Sequence, residues 1–316
     1  MIASPHSPPI FRCKKATVGP RKCDETHMHL LTPKQFFWLG HLYFENARRD
    51  PLPCTAIDRG QVMKLRYALV NGERQEAQPK LRGSCPNCGC DVVSKCGQLR
   101  IWHWSHKQKL ECDHWWEPET EWHRNWKALF PDTWQEVIHV ADDGERHIAD
   151  VKTDRGLVVE LQHSPISPEE RLSRENFYKA MVWVVDGLRY KLDLEAFRSA
   201  VAYGTILRDD PLYVDPHKET GIFRRWAPLR THVFIDFGNE QFNVAGCPLP
   251  EPVLWQFLLH PENKTIVVAA VTRGSFLDFC LNGGELRHLA VTRSVPLRTA
   301  YRQIRTPRAG GRRWRM

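Results

Sequence analysis

The sequence lacks any segment that predicts export or membrane insertion. Its N-terminus does not combine a charged start, an apolar core and a cleavage site, and no run of about 18 apolar residues occurs in the 316 residues. Ten cysteines could form disulfides in an exported protein, but the Cys-Pro-Asn-Cys motif fits a reducing compartment better. We therefore expect a cytoplasmic protein. The scattered cysteines that we expect to be free thiols are Cys13, Cys23, Cys54, Cys247 and Cys280.

Acidic residues and lysine are absent from residues 286–316. This segment contains nine arginines, whereas the formal net charge of the whole chain is +8, so residues 1–285 carry about −1. An arginine-rich tail can contact phosphates without sequence preference and hold DNA or RNA in a salt-dependent way. A disordered, solubilising end is an equally good interpretation.

Residues 1–62 show little hydrophobic periodicity. They are rich in proline, and only Gln35–Glu45 resembles a helix. Met63 then begins the apolar segment MKLRYALV, which predicts a first strand. We hypothesise that residues 1–62 are a dispensable or artefactual extension and that Met63 is the initiator.

The segment HIADVKTDRGLVVELQHS, from His147 to Ser164, predicts two antiparallel strands joined by a tight turn at Thr153–Gly156. Asp150 lies near the end of the first strand and Glu160 inside the second, so the two carboxylates should meet across the hairpin. A charge inside an apolar strand is unfavourable unless it is paired or bound to metal. Two such carboxylates can hold one or two divalent cations that activate water and neutralise charge on a phosphodiester. A solvated residue or a salt-bridge partner is the alternative.

The segment ETEWHRNWK predicts a helix upstream of this hairpin. Glu119, His123 and Lys127 recur every four residues and should project from one side. A row of surface salt bridges would explain Glu119 and Lys127 equally well. The opposite, buried side should comprise Trp122, Trp126, Leu129 and Phe130.

The order of the predicted elements is typical of a metal-dependent nuclease of the α/β class. A strand over about 133–140 follows the first helix, then the strands of Asp150 and Glu160, a helix over about 168–180, and a buried strand at 181–185. A row of surface salt bridges would not explain this order.

The second predicted helix places further polar residues near the acids. Glu170, Arg174 and Tyr178 are four residues apart and could hold Glu160 or a phosphate from one helix face. An ordinary helix pair between Glu170 and Arg174 is the alternative. His147 flanks the acids and is a candidate for contact with the substrate or with the residues that surround the acids.

Cys85-Pro-Asn-Cys88, followed after fourteen residues by His103-Trp-Ser-His106, has the spacing of a tetrahedral zinc site. A closed site of two thiolates and two imidazoles would stabilise a module too small to bury a large core. A redox Cys-x-x-Cys motif is the alternative, but no thioredoxin-like pattern surrounds it. Other candidate ligands are Cys90, Cys96, Cys112 and His114.

Four tryptophans lie in the same region. We expect them to pack around the metal, and stacking on nucleic-acid bases is the minority alternative. They are Trp102, Trp104, Trp115 and Trp116.

These motifs together resemble the competence protein CoiA-like family, a branch of the PD-(D/E)XK nuclease superfamily. The resemblance extends over about 65–187 through CPNCG, HWSHK, ETEWHRNWK, HIADV, VVELQHSPI and the Arg174–Tyr178 segment. It implies a restriction-endonuclease-like αβββαβ core with a small N-terminal zinc-binding module. It also implies that Asp150, Glu160 and Glu119 bind magnesium or manganese.

By this resemblance Gln162 occupies the position where most of the superfamily has lysine. Glutamine can hydrogen-bond but carries no charge, so another group must supply the missing charge. His123 as a base and Lys127 as an electrostatic clamp could do so, and a second metal ion is the rival explanation. Glu136, on the preceding strand, is a further possible metal ligand.

The C-terminal third is less informative. Strand-like runs at 232–237 and 265–271 and a helix-like run at 253–259 predict either additions to the nuclease sheet or a small α/β appendage. The predicted division is an extension over 1–62, a zinc-ribbon-like module over 63–117, a nuclease core over 118–195, a C-terminal α/β region over 196–285 and the arginine-rich tail over 286–316.

Two functions from different classes follow from the sequence. The first is a magnesium- or manganese-dependent deoxyribonuclease with structural zinc that acts on DNA, or on RNA, in DNA uptake, recombination or defence. The second is a DNA-binding or recombination-assisting protein that retains the nuclease fold without catalysis, which the glutamine at position 162 would permit.

Overall fold

The computed structural model describes residues 63–108, 112–260 and 265–290. Over these ranges the chain is a mixed α/β protein with a six-stranded sheet, a nine-stranded sheet and five α-helices. The predicted N-terminal extension and the tail from residue 291 onwards lie outside the described residues, as do Cys13, Cys23 and Cys54. Cys247 and Cys280 are free thiols, as predicted. In the described ranges, no helix is long and apolar enough to cross a membrane.

The six-stranded sheet is the N-terminal module, and all of its strand pairs are antiparallel. Met63, Leu65, Ala68 and Trp104 fill its core, each at most 3% exposed. Its spatial order is β1-β6-β5-β4-β2-β3. The strands are β1 (Lys64–Leu65), β2 (Tyr67–Val70), β3 (Glu73–Glu76), β4 (Arg82–Ser84), β5 (Asp91–Lys95) and β6 (His103–His106).

The nine-stranded sheet and the helices follow. The strands are β7 (Gln135–Val140), β8 (Arg146–Lys152), β9 (Val158–Gln162), β10 (Met181–Asp186), β11 (Thr205–Asp209), β12 (Leu212–Asp215), β13 (His232–Asp236), β16 (Val253–Leu259) and β17 (Ile266–Thr272), with a separate hairpin of β14 (Asn243–Val244) and β15 (Cys247–Pro248). The helices are α1 (Glu121–Lys127), α2 (Pro168–Tyr178), α3 (Asp193–Ala202), α4 (Gly221–Trp226) and α5 (Arg273–Asn282). The spatial order is β11-β12-β17-β16-β13-β10-β9-β8-β7, and β10 is parallel to both β9 and β13.

Helices cover both faces of this sheet. Along β10, Trp183 and Val185 pack in one cluster with residues of α2, α3 and α4, whereas Val182 and Val184 pack in a second cluster with residues of α1 and α5. Alternate side chains of a strand point to opposite faces, so an uninterrupted apolar strand is expected where both faces are covered. The fold therefore has three layers, and the strands from the C-terminal third extend the central layer.

The order α1, β7, β8, β9, α2, β10 agrees with the order predicted from the sequence. The turn between β8 and β9 is also as predicted: Gly156 adopts φ +81° and its N–H donates to the carbonyl of Thr153 at 2.8 Å. The helix-like interpretation of Val253–Leu259 is wrong, because this segment is β16. A short, fully apolar run has no periodicity that separates a buried strand from a buried helix.

Candidate functional site

Strands β8 and β9 separate at the two acids singled out by the sequence. Next to the turn the pairing is regular, with Val151 opposite Val159. One step further, the N–H of Asp150 donates to Oε1 of Glu160 at 3.2 Å, and the N–H of Leu161 donates to Oδ2 of Asp150 at 3.0 Å. At this point carboxylate oxygens accept the backbone hydrogen bonds that carbonyl oxygens of the neighbouring strand would accept in a regular sheet. The predicted meeting of the two carboxyl groups across the hairpin is observed.

Helix α1 begins at a capping box. The hydroxyl of Thr120 accepts from the N–H of His123 at 3.3 Å, and Nδ1 of His123 accepts from the N–H of Thr120 at 3.2 Å. The helix therefore starts at Glu121, and Glu119 precedes it instead of lying on its face as predicted. Threonine is a strong N-cap residue, which explains the shift. Glu119 still reaches Lys127 in the last turn of the helix.

The apolar side of α1 agrees only partly with the prediction. Trp126 and Phe130 are buried and Trp122 is partly buried, but Leu129 is 40% exposed. It follows the last helical residue, Lys127, so the helical spacing used to place it no longer applies.

Lys127 is buried among carboxylates. Its Nζ lies 3.1 Å from Oδ1 of Asp150, 3.2 Å from Oε1 of Glu136 and 3.4 Å from Oε1 of Glu119. Burial alone would lower the pKa of Lys127, but Asp150, Glu136 and Glu119 raise it above its ordinary value. Burial likewise favours a higher pKa for Asp150, but Lys127, His123 and the Leu161 N–H hold that pKa below its ordinary value. Asp150 and Lys127 are therefore both charged at neutral pH.

Glu160 is held by Arg174 on α2. Nη1 of Arg174 donates to Oε2 of Glu160 at 3.1 Å, Nη2 donates to the carbonyl of Trp115 at 2.7 Å, and Nε donates to Glu170 at 3.1 Å. Both predicted partners of Arg174 are thus in contact with it. Burial and the nearby Asp150 nevertheless raise the pKa of Glu160 to about 8. Tyr178, which was predicted on the same helix face, is buried against aromatic side chains.

These acidic and basic groups line one cavity of about 60 Å³. This volume has room for several water molecules or a small cation. Its walls come from the nine-stranded sheet, from α1 and from the first strand of the N-terminal module. The lining residues include Lys64, Leu65, Glu117, Glu119, His123, Lys127, Glu136, Ile148, Asp150, Glu160 and Arg174.

His123 faces this cavity but has no nitrogen free to act as a base. Nε2 lies 3.1 Å from the carbonyl of Leu161, which can only accept, so Nε2 carries the proton. Nδ1 then accepts from Thr120. Burial lowers the pKa of His123, with Lys127 contributing, although Asp150 opposes the shift. The geometry favours a positioning role over the predicted role as a general base.

Gln162 does not line the cavity with Glu160. Its Nε2 donates to Glu117 and to the carbonyl of Ser164, the latter at 2.8 Å. Oε2 of Glu117 accepts from the N–H of Ser164 at 3.2 Å, so this carboxylate fixes the loop that leads from β9 into α2. Glu117 was not among the predicted site residues. Its only sequence signal was its position two residues before Glu119.

His147 does not contact the two acids but contacts Asp113, which lines the same cavity. Its Nδ1 lies 2.8 Å from Oδ1 of Asp113, its Nε2 lies 3.0 Å from Glu145, and its ring stacks on Trp115 with the centroids 3.3 Å apart. The reason is strand geometry. Residues three apart on a strand point to opposite faces, so Asp150 and His147 cannot share one site.

The three predicted metal acids are close to one another but are already paired. Over the described ranges, Glu119, Asp150 and Glu160 are not one of the groups whose donor atoms approach closely enough to hold a metal ion as they stand. Lys127 contacts two of them and Arg174 contacts the third. Carboxylate oxygens are nonetheless the donors that magnesium and manganese prefer. The three carboxylates are therefore the right type of ligand for magnesium or manganese.

A Cys/His cluster does have the geometry of a metal site. One donor atom from each of Cys85, Cys88, His106 and Cys112 lies within 4.8 Å of the others. Hydrogen bonds from Cys112, Cys85 and His106 hold the pKa of Cys88 far below that of a free thiol. Burial alone would lower the pKa of His106, but Cys85 and Cys88 raise it to about 9. Thiolates and one imidazole in this arrangement can hold a metal ion such as zinc.

Cys112 takes the place predicted for His103 in this cluster. His103 and His106 both lie on β6, three residues apart, so their side chains point to opposite faces. Nδ1 of His103 instead lies 2.7 Å from the carbonyl of Ile101. Two histidines three residues apart would share a face on a helix, but they do not share one on a strand. The other spare candidates, Cys90, Cys96 and His114, are not part of this cluster.

The Cys/His cluster is joined directly to β8. Asp113 follows Cys112 in the chain, is 3% exposed, and accepts from the N–H of Ile148 at 2.8 Å as well as contacting His147. Asp113, His114 and His147 also form a second group that could hold a metal ion. Because Ile148 and Asp150 line the same cavity, the N-terminal module is anchored two residues from a candidate catalytic acid.

A residue of the C-terminal third holds α1 in place. Asp236, at the end of β13, is 2% exposed and accepts from Nε1 of Trp122 at 3.0 Å and Nε1 of Trp126 at 2.8 Å. Its other oxygen accepts from Arg273 at 3.1 Å. Nothing in the sequence pattern links Asp236 to the two tryptophans, which are more than 100 positions away. The contact fixes the helix that carries Lys127.

The fold and the cysteine cluster define an α/β protein with a module that can hold a metal ion such as zinc. Residues 72–114 match the family model described as competence protein CoiA, N-terminal domain. This similarity supports the resemblance to the CoiA-like family and suggests a role in competence. The match includes the four residues of the Cys/His cluster but ends before the candidate active site. Neither the curated proteins nor the solved structures give a match.

Proposed function

We propose that the protein is a metal-dependent nuclease that hydrolyses phosphodiester bonds of DNA. One observation carries the proposal: the buried ammonium of Lys127 and the carboxylates of Asp150 and Glu160 meet in one cavity where β8 and β9 separate. Groups of opposite charge that are buried together with shifted pKa values are typical of catalytic sites. The order of elements around them supports a restriction-endonuclease-like core of the PD-(D/E)XK superfamily.

Each group has a role under this proposal. Asp150 and Glu160, with Glu119 and Glu136 nearby, are the oxygen donors for magnesium or manganese, which would activate water and neutralise charge on the phosphate when bound. Lys127 supplies the positive charge that Gln162 lacks, because it is held 3.1 Å from Asp150. Glu160 must first lose its proton to bind a cation, and Arg174 favours that loss. His123, bonded to the Leu161 carbonyl, positions β9.

DNA is the substrate that fits the similarity to the CoiA N-terminal domain, since competence concerns DNA taken up by the cell. The nine arginines after residue 286 would add phosphate affinity, which remains a prediction because most of them lie outside the described residues. Uptake, recombination and defence against foreign DNA are all compatible with this chemistry.

A non-catalytic DNA-binding protein is the second candidate. The observation in its favour is that Lys127 and Arg174 are already bonded to the acids, while Gln162 does not line the cavity and is bonded to Glu117. Against it stands the position of Glu160, 3% exposed in an apolar strand with a raised pKa. A protein that only binds DNA gains nothing from this arrangement.

The test compares nicking of a supercoiled plasmid and degradation of a linear single strand, with magnesium, with manganese and without added divalent ion. Omitting the ion is preferable to a chelator, which would also strip zinc from the cysteine cluster. The variants are Asp150→Ala with Glu160→Ala, and the control Asp142→Ala with Glu121→Ala, which alters exposed acids in the turn between β7 and β8 and at the start of α1.

Ion-dependent cutting that is lost only in the Asp150/Glu160 variant would support the nuclease, and the products would separate endonuclease from exonuclease activity. If neither wild type nor control cuts while both bind DNA, the binding-protein candidate replaces it.

A further inference from the structure

The loop between β5 and β6 exposes apolar side chains at the surface of the N-terminal module. Leu99 is 100% exposed, and Ile101 and Trp102 are each 50% exposed. Two residues further on, Trp104 is completely buried in the module core. Loops are usually polar, and adjacent exposed apolar side chains commonly mark a binding surface. Core packing explains the apolar residue at position 104 but not the exposed apolar side chains of this loop.

The indole ring of Trp102 is held in position although half of it is exposed. Its Nε1 donates to the carbonyl of Gly97 at 3.2 Å, across the base of the same loop. An exposed tryptophan that is already fixed loses little side-chain entropy when a partner binds its face. This arrangement suits stacking on a flat ring.

The concave surface beside Trp102 is basic. One hollow of about 540 Å³ is formed by residues 96–102, and a second of about 540 Å³ is lined by the loop together with Lys64, Lys95, Arg100 and His103. None of the described residues that line either hollow is acidic. A surface that joins an exposed aromatic ring to basic side chains fits a chain of bases and phosphates.

The basic hollow leads to the candidate active site. Lys64 lines both the hollow beside the loop and the cavity that contains Asp150 and Glu160. Pairing of β1 with β6, which places Lys64 opposite Ser105, fixes this position. A strand bound along the loop would therefore be directed past Lys64 towards the acids.

We propose that the β5–β6 loop binds single-stranded DNA, with a base stacked on Trp102 and phosphates held by Arg100, Lys95 and Lys64. The inference deepens the proposed function, on which it rests, by naming an unpaired strand as the substrate form. A duplex offers no free base face to Trp102. A membrane surface is a different partner for an apolar, basic loop, and the test includes it.

The test measures binding of a labelled single strand of about 12 nucleotides by fluorescence anisotropy at about 0.2 M salt, which weakens contacts made by the arginine-rich tail. Binding to the corresponding duplex and to vesicles of anionic phospholipid is measured in parallel. Every protein is the full chain and carries Asp150→Asn to prevent cutting. The variants are Trp102→Ala, Trp102→Phe and Lys95→Ala with Arg100→Ala. Tyr203→Ala is the matched control, because Tyr203 is 71% exposed and far from the loop in sequence.

We expect Trp102→Ala to weaken single-strand binding about tenfold, and Trp102→Phe and Tyr203→Ala to change it less than twofold. Loss of two phosphate contacts in the Lys95/Arg100 variant should reduce the slope of log affinity against log salt by about 1.4. Unchanged zinc content and circular dichroism would show that the variants are folded.

Equal binding by wild type and Trp102→Ala would overturn the inference, as would a loss confined to duplex DNA or to vesicles of anionic phospholipid. Failure here is distinguishable from failure of the proposed function. Plasmid cutting by the unmodified protein tests the nuclease, whereas this assay contains no catalysis.

Discussion

Nζ of Lys127 lies 3.1 Å from Oδ1 of Asp150, so a lysine from a helix reaches the acid at the end of β8. Gln162, two residues after Glu160 on β9, cannot provide this charge and is bonded elsewhere. The ammonium group therefore comes from α1. Under the proposed function, the position of α1 against the sheet is a condition for activity. The Lys127 and Asp236 predictions below test the contacts that hold α1 in place.

Replacement of Lys127 by methionine should destabilise the fold, because it removes the cation that Asp150 and Glu136 share and leaves Glu119 with Arg124 alone. We expect a loss of about 3–5 kcal/mol in the free energy of unfolding at pH 7, measured by urea denaturation. The loss should become smaller at lower pH, because burial without Lys127 raises the pKa of Asp150 and favours its uncharged form. Lys107→Met, at a position where the lysine side chain is 63% exposed, is the control. A loss below about 0.5 kcal/mol would mean that the buried ion pairs contribute little.

The raised pKa of Glu160 predicts a specific pH dependence of stability. The folded-state pKa is about 8, above the ordinary value of 4.5, so the folded protein binds this proton more tightly than the unfolded chain. The contribution of this group is fully present below pH 4.5 and is lost as the pH rises through 8. Thermal unfolding of wild type and Glu160→Gln, without added magnesium or manganese, measures it.

Relative to the Glu160→Gln variant, the wild type should lose stability steadily as the pH rises from 4.5 to about 8. Parallel melting curves over that range would show that Glu160 is ionised throughout.

The candidate metal site of the module can be tested by single substitutions. Cys112→Ser should reduce the zinc content of the purified protein well below one ion per chain and lower its melting temperature. His103→Ala should leave the zinc content unchanged, because His103 faces away from the cluster. Elemental analysis of the zinc content of each variant shows whether Cys112 or His103 is the ligand. Zinc loss in His103→Ala with retention in Cys112→Ser would restore the ligand set predicted from the sequence.

Asp236 should stabilise the fold through its contact with α1. Replacement by alanine removes the acceptor for two tryptophan N–H groups and the partner of Arg273. We expect a loss of about 2–5 kcal/mol in the free energy of unfolding. Asp142→Ala, at an exposed turn position, should change stability by less than about 0.5 kcal/mol. Similar effects of the two substitutions would argue against Asp236 as an anchor of α1.

Local sequence patterns predicted the hairpin of β8 and β9 and the order of elements around it. These predictions succeeded because strand alternation, turn residues and helical spacing are properties of short segments. Residue spacing gave wrong predictions of which side chains share a face where the type of secondary structure was not known. His103 and His106 would share a face on a helix but not on β6, and Asp150 and His147 are separated for the same reason.

Contacts between distant segments could not be predicted in this way. Asp236 meets α1 only because β13 lies beside β10 in the folded sheet, and a lone aspartate at a strand end carries no signal of that. Cys112 joins Cys85 and Cys88 only after the module folds. Identifying such pairs requires the three-dimensional arrangement, whereas the types of residue involved were visible in the sequence.

The most direct test of the account is the rate at which a supercoiled plasmid is nicked in magnesium by wild type, Asp150→Asn and Asp142→Asn, prepared in parallel. Asp150→Asn keeps the shape of the side chain but removes the charge next to Lys127. We predict a loss of about 100-fold or more for Asp150→Asn and no change for Asp142→Asn. Equal nicking by all three proteins would contradict the assignment of this cavity as the active site.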